Sequence, residues 1–135
     1  MKEEAPKTIL LVEDEIIISM AASLKLKSFG YNVLTAHTGE RAVQVVEEHG
    51  QINLILMDID LGRGIDGTQA AEIILKSHDI PVVFLSSHIE PEVVEKTEKI
   101  TSYGYVVKNS GDTVLHASIK MAFRLFDANR SIRDQ

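Results

Sequence analysis

Ile52-Asn-Leu-Ile-Leu-Met57, followed at once by Asp58, is apolar at nearly every position. A strand that is apolar on both faces must be covered on both sides, as the central strands of a parallel sheet flanked by helices are. Three further short apolar runs lie around it. Thr8-Ile-Leu-Leu-Val12 leads into Glu13-Asp14, Val82-Val-Phe-Leu85 into Ser86-Ser87, and Tyr105-Val-Val107 into Lys108. Longer segments of helical period separate the runs, which is the pattern of repeated βα units. Open α/β sheets bind their ligands beyond the carboxyl ends of the strands. Acids, a hydroxyl and an ammonium therefore converge on one edge, and these are the groups needed to handle a phosphoryl group.

Five units are expected. The first strand covers about 8–13 and leads into a helix over 14–29, where Ile17, Met20, Ala21, Leu24 and Phe29 recur at helical spacing and Gly30 offers the stop. The second strand is 31–36. Thr38 is the expected N-cap of the second helix, without a capping box because Arg41 stands three residues on. Ala42, Val45 and Val46 form that helix's buried stripe and Gly50 ends it. The third strand, 52–57, is followed by a glycine-rich loop and a helix over about 68–77. Pro81 opens the fourth strand, and Pro91 suits the first turn of a fourth helix over about 92–101. Only Val93, Val94, Thr97 and Ile100 are available for burial there, so weak anchoring is expected. After the fifth strand, Ser110 or Asp112 caps a final helix with Leu115, Ile119, Ala122, Phe123 and Phe126 inward, running to about 130. The chain reads as a single domain over 1–135, with a core at about 7–127. Residues 128–135 read as a frayed end or as the start of a connector to a further domain.

A chain of 135 residues can bury a proper core without staples. The absence of cysteine excludes disulfides and thiolate metal sites and fits a reducing compartment, so a cytoplasmic location is expected. No stretch approaches the roughly 20 apolar residues of a membrane span, and the N-terminus lacks the pattern of a signal peptide. Fourteen Lys and Arg against twenty Asp and Glu give a net charge of −6, the wrong sign for a nucleic-acid binder. Neither direct nucleic-acid contact nor membrane contact is expected. His37, His49, His78, His88 and His116 show no metal-ligand spacing and are expected at the surface.

A carboxylate can accept a phosphoryl group when a divalent cation neutralises the crowded negative charge and a lysine holds an equatorial oxygen. Glu13, Asp14 and Asp58, with the backbone carbonyl of Asp60, offer the hard oxygen shell that Mg²⁺ prefers. Without a cation, three acids at one edge repel one another and raise their pKa values. The bare site is expected to be destabilised and avid for metal.

Leu11-Val-Glu-Asp-Glu15, Leu56-Met-Asp-Ile-Asp60, Pro81-Val-Val-Phe-Leu-Ser86 and Gly104-Tyr-Val-Val-Lys108, in this order, give a chain that resembles the receiver domain of two-component response regulators over nearly its whole length. The resemblance implies an α/β fold with a doubly wound, flavodoxin-like five-stranded parallel sheet of order 2-1-3-4-5 and five helices. It also implies a phospho-aspartate switch charged by a histidine kinase or phosphotransfer protein. Position by position, Asp58 corresponds to the phosphoacceptor, Asp14 to a direct Mg²⁺ ligand and Glu13 to a ligand acting through water. Ser86 corresponds to the switch hydroxyl, Lys108 to the phosphoryl-binding lysine and Tyr105 to the aromatic residue that moves on activation. When Asp58 is phosphorylated, Ser86 moves toward it and vacates space for the Tyr105 ring, altering the face of the fourth helix, fifth strand and fifth helix. Such a domain is regulatory and catalyses only its own phosphorylation and dephosphorylation. An effector or sensor domain in the same full-length chain and a homodimer through the switched face are compatible with this reading.

Several positions depart from the usual receiver pattern, among them Ser86, which stands in place of the commoner threonine and keeps the hydroxyl. Leu61-Gly-Arg-Gly64 replaces a common proline, which predicts a looser loop, and Asn109 replaces the proline usual after the lysine, which leaves the geometry of the Lys108–Asn109 bond open. Asp60 and His88, two residues beyond Asp58 and Ser86, are hypothesised to set the dephosphorylation rate. One alternative is a phosphorylation-independent interaction module of the same fold, whose usual sign is the loss of an acid, the acceptor or the lysine; none is lost. Another is a haloacid-dehalogenase-like phosphatase built on Asp58-Ile-Asp60, but Gly62 stands where Thr or Val is expected and no segment is long enough for a cap. A calcium loop lacks its fifth-position ligand and sixth-position glycine, and no nucleotide-binding glycine fingerprint follows the first strand.

Overall fold

The apolar run before Asp58 becomes the central strand of a five-stranded parallel sheet in a computed structural model, which describes residues 5–87, 91–100 and 103–133. The elements are β1 (Thr8–Val12), α1 (Ile16–Ser28), β2 (Asn32–Ala36), α2 (Gly39–Glu48), β3 (Leu54–Asp58), α3 (Gly67–Leu75), β4 (Val82–Ser86), α4 (Pro91–Ile100), β5 (Tyr105–Val107) and α5 (Asp112–Arg133). The strand order is β2-β1-β3-β4-β5, every pair is parallel, and β3 is buried at all its positions. This is the doubly wound, flavodoxin-like fold that the sequence predicts.

The period of two along each strand divides the core into two layers. Leu10, Val12, Ile55, Met57, Val82 and Phe84 pack with Ala42, Val45 and Val46 of α2 and with Ala70, Ala71 and Ile74 of α3. Ile9, Leu11, Leu54, Leu56, Val83 and Val106 pack on the other face with Leu26 of α1 and with Ile119, Ala122 and Phe123 of α5. Four of the five expected inward residues of α5 are buried and Leu115 is half-buried; the helix runs three residues beyond the expected end. α4 buries Thr97 alone, with Val93, Val94 and Ile100 half-buried, as its weak apolar content predicts.

α1 forms where expected, but its apolar stripe does not face the core. Ile17 is 81% exposed and Leu24 69%, Met20 and Ala21 also face solvent, and the inward side carries Ser19 and Leu26 with Ala22 and Phe29 half-buried. Apolar residues occur all around this helix, so periodicity cannot choose its phase. The connections to β1 and β2 choose it instead. α2 begins as predicted, with Thr38 Oγ1 accepting from the Arg41 N–H at 3.0 Å. α3 begins one residue earlier than expected because Asp66 and Gln69 form a reciprocal capping box: each side chain accepts the other's backbone N–H at 2.9 Å.

Gly67, at the head of α3, lies against the end of β3, and a β-carbon there would run into the backbone carbonyl of Asp58. Gly67→Ala is expected to cost about 3 kcal/mol in urea unfolding, the upper end of overpacking penalties. A loss below about 0.5 kcal/mol, within the usual range for surface substitutions, would mean that the junction of β3 and α3 yields freely.

Candidate functional site

Glu13, Asp58 and Lys108 each follow by two residues a side chain of the α1/α5 core layer, namely Leu11, Leu56 and Val106. The strand period carries them onto the same face, just past the sheet's carboxyl edge. β5 is not a neighbour of β3, since β4 lies between them with Leu85 paired to both Asp58 and Val106. The long stem of Lys108 spans that gap. Its Nζ lies 2.9 Å from Asp58 Oδ2 and 3.3 Å from Glu13 Oε1, tying three strand ends together.

The acids are largely withdrawn from water: Asp58 is 0% exposed, Glu13 2%, and Asp14 is half-buried. Asp58 Oδ1 accepts the Asp60 N–H at 2.9 Å, and Glu13 Oε2 accepts the Glu15 N–H at 3.1 Å. Asp14 Oδ2 accepts the N–H of Gly62 at 3.1 Å across 48 residues of sequence. One carboxylate oxygen from each of Glu13, Asp14 and Asp58 lies within 4.8 Å of the others. These are hard oxygen donors, closely spaced and, as carboxylates beside one ammonium, short of two neutralising charges, so the set fits a small divalent cation such as Mg²⁺.

Burial pushes the Glu13 carboxyl up to about 7, and the neighbouring Asp58 adds to the rise against the opposing pull of the Glu15 N–H and Lys108. Burial also works against the charge of Asp14, but a hydrogen bond from Glu13 and the Gly62 N–H hold its carboxyl below the usual range. For Lys108 burial likewise opposes the charge, yet Asp58 and Glu13 hold the ammonium above its ordinary value. Below about pH 7, Glu13 thus favours its protonated form, which helps three acids coexist beside one lysine.

Ser86 ends β4, fully buried, two residues beyond Phe84 and hence on the α2/α3 side of the sheet. Tyr105 is half-buried and packs on the same core layer, which also takes in Val93 and Ile100 of α4. Asp60 is exposed, and His88 lies outside the described residues. The described peptide bonds are all trans, which settles the Lys108–Asn109 bond, and Asn109 adopts a left-handed φ of 68° that proline cannot take. The loop at 61–65 is less loose than expected, being tied to Asp14 at Gly62 and to Glu40 at Ile65. Sequence reasoning missed both ties, and also His37, whose Nδ1 lies 3.0 Å from the Glu13 carbonyl oxygen. Only the glycines flanking Arg63 hinted at a close backbone approach.

The raised Glu13 has a consequence for stability. Between about pH 4.5 and 7 the folded chain keeps a proton on Glu13 that the unfolded chain has released, so this group's contribution to stability falls as pH rises through that window. In metal-free buffer, the stability of wild type relative to Glu13→Gln should decline from pH 4.5 to 7 and level off above it. Urea unfolding at half-unit pH intervals measures the difference, and a flat difference would place the Glu13 carboxyl at its ordinary value.

Comparison with known proteins agrees with this geometry. Residues 9–120 match the family described as the response regulator receiver domain. The chain is 31% identical over 129 residues to the uncharacterized transcriptional regulatory protein YrkP of Bacillus subtilis, covering 94% of this chain and 54% of that protein. It is 30% identical over 122 residues to the transcriptional regulatory protein PdtaR of Mycobacterium tuberculosis, covering 90% and 58%. The chain therefore spans little more than half the length of these relatives. The N-terminal domain of a response regulator/sensory box/GGDEF 3-domain protein from Carboxydothermus hydrogenoformans superposes with a TM-score of 0.84 at 46% identity, over 91% of this chain and 98% of that one. The CheY-like receiver domain protein of Methanospirillum hungatei JF-1, also at a TM-score of 0.84 but 23% identical, covers 92% and 98% and shares the fold. By sequence and by fold, the chain belongs to the response regulator receiver domain family.

Proposed function

We propose that the domain is a Mg²⁺-dependent phosphorylation switch with Asp58 as the acceptor. The observation that carries this reading is the buried Asp58 carboxylate held 2.9 Å from the Lys108 ammonium, within a cluster of two further acids. An Asp58 oxygen attacks the phosphorus of a phosphohistidine on a histidine kinase or phosphotransfer protein. The O–P bond forms as the P–N bond breaks, and the electron pair returns to the donor's imidazole nitrogen. Lys108 passes from the Asp58 oxygen to an oxygen of the arriving group and offsets its charge. Asp14 and Asp58 with the Asp60 carbonyl, and Glu13 through water, would hold the Mg²⁺, which would neutralise the oxygens of the group in transfer. Ser86 then turns toward the phosphoryl group and Tyr105 follows into the space, so that α4, β5 and α5 present a changed face. Asp60 and His88 set how fast water removes the group. The relatives' names as transcriptional regulators support an effector domain elsewhere in the full-length chain, and a cytoplasmic location fits the absence of cysteine.

A protein donor is supported by the exposed apolar ridge of α1. Ile16, Ile17, Met20 and Leu24 begin two residues beyond Asp14, where a donor reaching the acids would land. Ile17→Glu is expected to slow transfer from a phosphohistidine protein at least ten-fold, about 1.4 kcal/mol of lost docking, while labelling by acetyl phosphate is unchanged. Equal rates from the protein donor would remove the ridge from the interface.

Intact mass after incubation with acetyl phosphate tests the switch itself. Wild type is expected to gain one phosphoryl group only when Mg²⁺ is present, and Asp58→Asn none. A missing adduct, with Mg²⁺ binding established and a control receiver labelled, would favour the phosphorylation-independent interaction module.

A further inference from the structure

We infer that Glu40 is a positioning residue for the acidic site, acting through the loop between β3 and α3; its consequence for metal rests on the phosphoacceptor reading. Glu40 lies in the first turn of α2 and is not one of the clustered acids, yet its Oε2 accepts the Ile65 N–H at 3.1 Å. The same carboxylate packs against Gly64, whose φ of 71° and lack of a side chain make room for it, since a β-carbon there would collide with both carboxylate oxygens. A β-carbon on the neighbouring Gly39 would lie 2.6 Å from the Ile65 side chain, so the loop rests directly on the start of α2. Only Arg63 and Gly64 separate this anchor from Gly62, whose N–H holds Asp14 Oδ2 at 3.1 Å. With glycine on both sides of Arg63, the backbone has little stiffness of its own. Glu40 supplies that stiffness, fixing where the Gly62 N–H points and hence how the Asp14 carboxylate is turned. A carboxylate in a helix's first turn also interacts with the helix dipole; that role needs the charge, whereas the loop anchor needs only an acceptor.

Glu40→Gln and Glu40→Ala in the full chain separate the two. The amide resonance of Gly62 in metal-free protein is read by NMR, Mg²⁺ affinity by calorimetry well below the unfolding temperature, and thermal midpoints are recorded alongside. Glu40→Ala is expected to shift the Gly62 amide and to weaken Mg²⁺ about ten-fold, the lower end for residues that orient metal ligands. Glu40→Gln is expected to stay near wild type in both. An unmoved Gly62 amide and unchanged Mg²⁺ affinity in Glu40→Ala would overturn the inference, and so would equal losses in the two variants, which would assign the effect to charge. If wild type takes up no Mg²⁺, the phosphoacceptor reading fails, and the Gly62 amide still decides for or against the anchor.

Discussion

Three carboxylates share the end of this sheet with one ammonium, and that imbalance organises the rest of the site. Burying charge is costly unless it is paired, and removing one partner of a buried pair leaves the other uncompensated. Lys108 pairs directly with Asp58 and only loosely with Glu13, so Glu13 lowers the remaining repulsion by holding a proton at pH values where an exposed glutamate would have lost it. The arrangement depends on strand order. Lys108 reaches Asp58 because β4, the strand in between, is followed on that face by the small polar Ser87.

The sheet also separates two tasks. Glu13, Asp58 and Lys108 continue the face covered by α1 and α5, whereas Ser86 and Tyr105 continue the face covered by α2, α3 and α4. The two sets of residues meet at the strand ends. On that second face α4 buries a single residue, Thr97, whose hydroxyl donates to the Val94 carbonyl of its own helix. A helix that buries a single side chain opens at lower cost than one seated in the core.

Much of this was legible in the sequence because the period of two and the polar strand ends are local signals. β3, the Thr38 cap and the grouping of Glu13, Asp14, Asp58 and Lys108 follow from reading along the chain. The phase of α1 does not, because Ile16, Ile17, Ile18 and Met20 offer apolar surface in every direction and tertiary connections choose among them. The capping box at Asp66 was present as Asp66-Gly-Thr-Gln69 but hidden behind the glycines around it. The loop ties were beyond reach for another reason: Glu40 and Ile65 are 25 residues apart and Asp14 and Gly62 are 48 apart, with nothing local to mark either pair. Asn109 lies between these cases, since asparagine tolerates a left-handed backbone but does not demand one.

α5 extends well past its last buried side chain, Phe126, and its base is clamped there. Tyr103 packs edge-on against the Phe126 ring, Arg130 lies 5.6 Å above it, and Asn129 Nδ2 donates to the Tyr103 hydroxyl at 3.1 Å. At about 1.5 Å per residue the helix is a rod of roughly 33 Å, set at a fixed bearing to the sheet. Each residue of such a rod turns the next by about 100°, so whatever is joined beyond Arg133 inherits an angular phase set by residue count. One residue added to the junction swings the attachment through more than a quarter turn, while seven return it to within about 20°. Chimaeras built on this domain must therefore be spliced by bearing as well as by length.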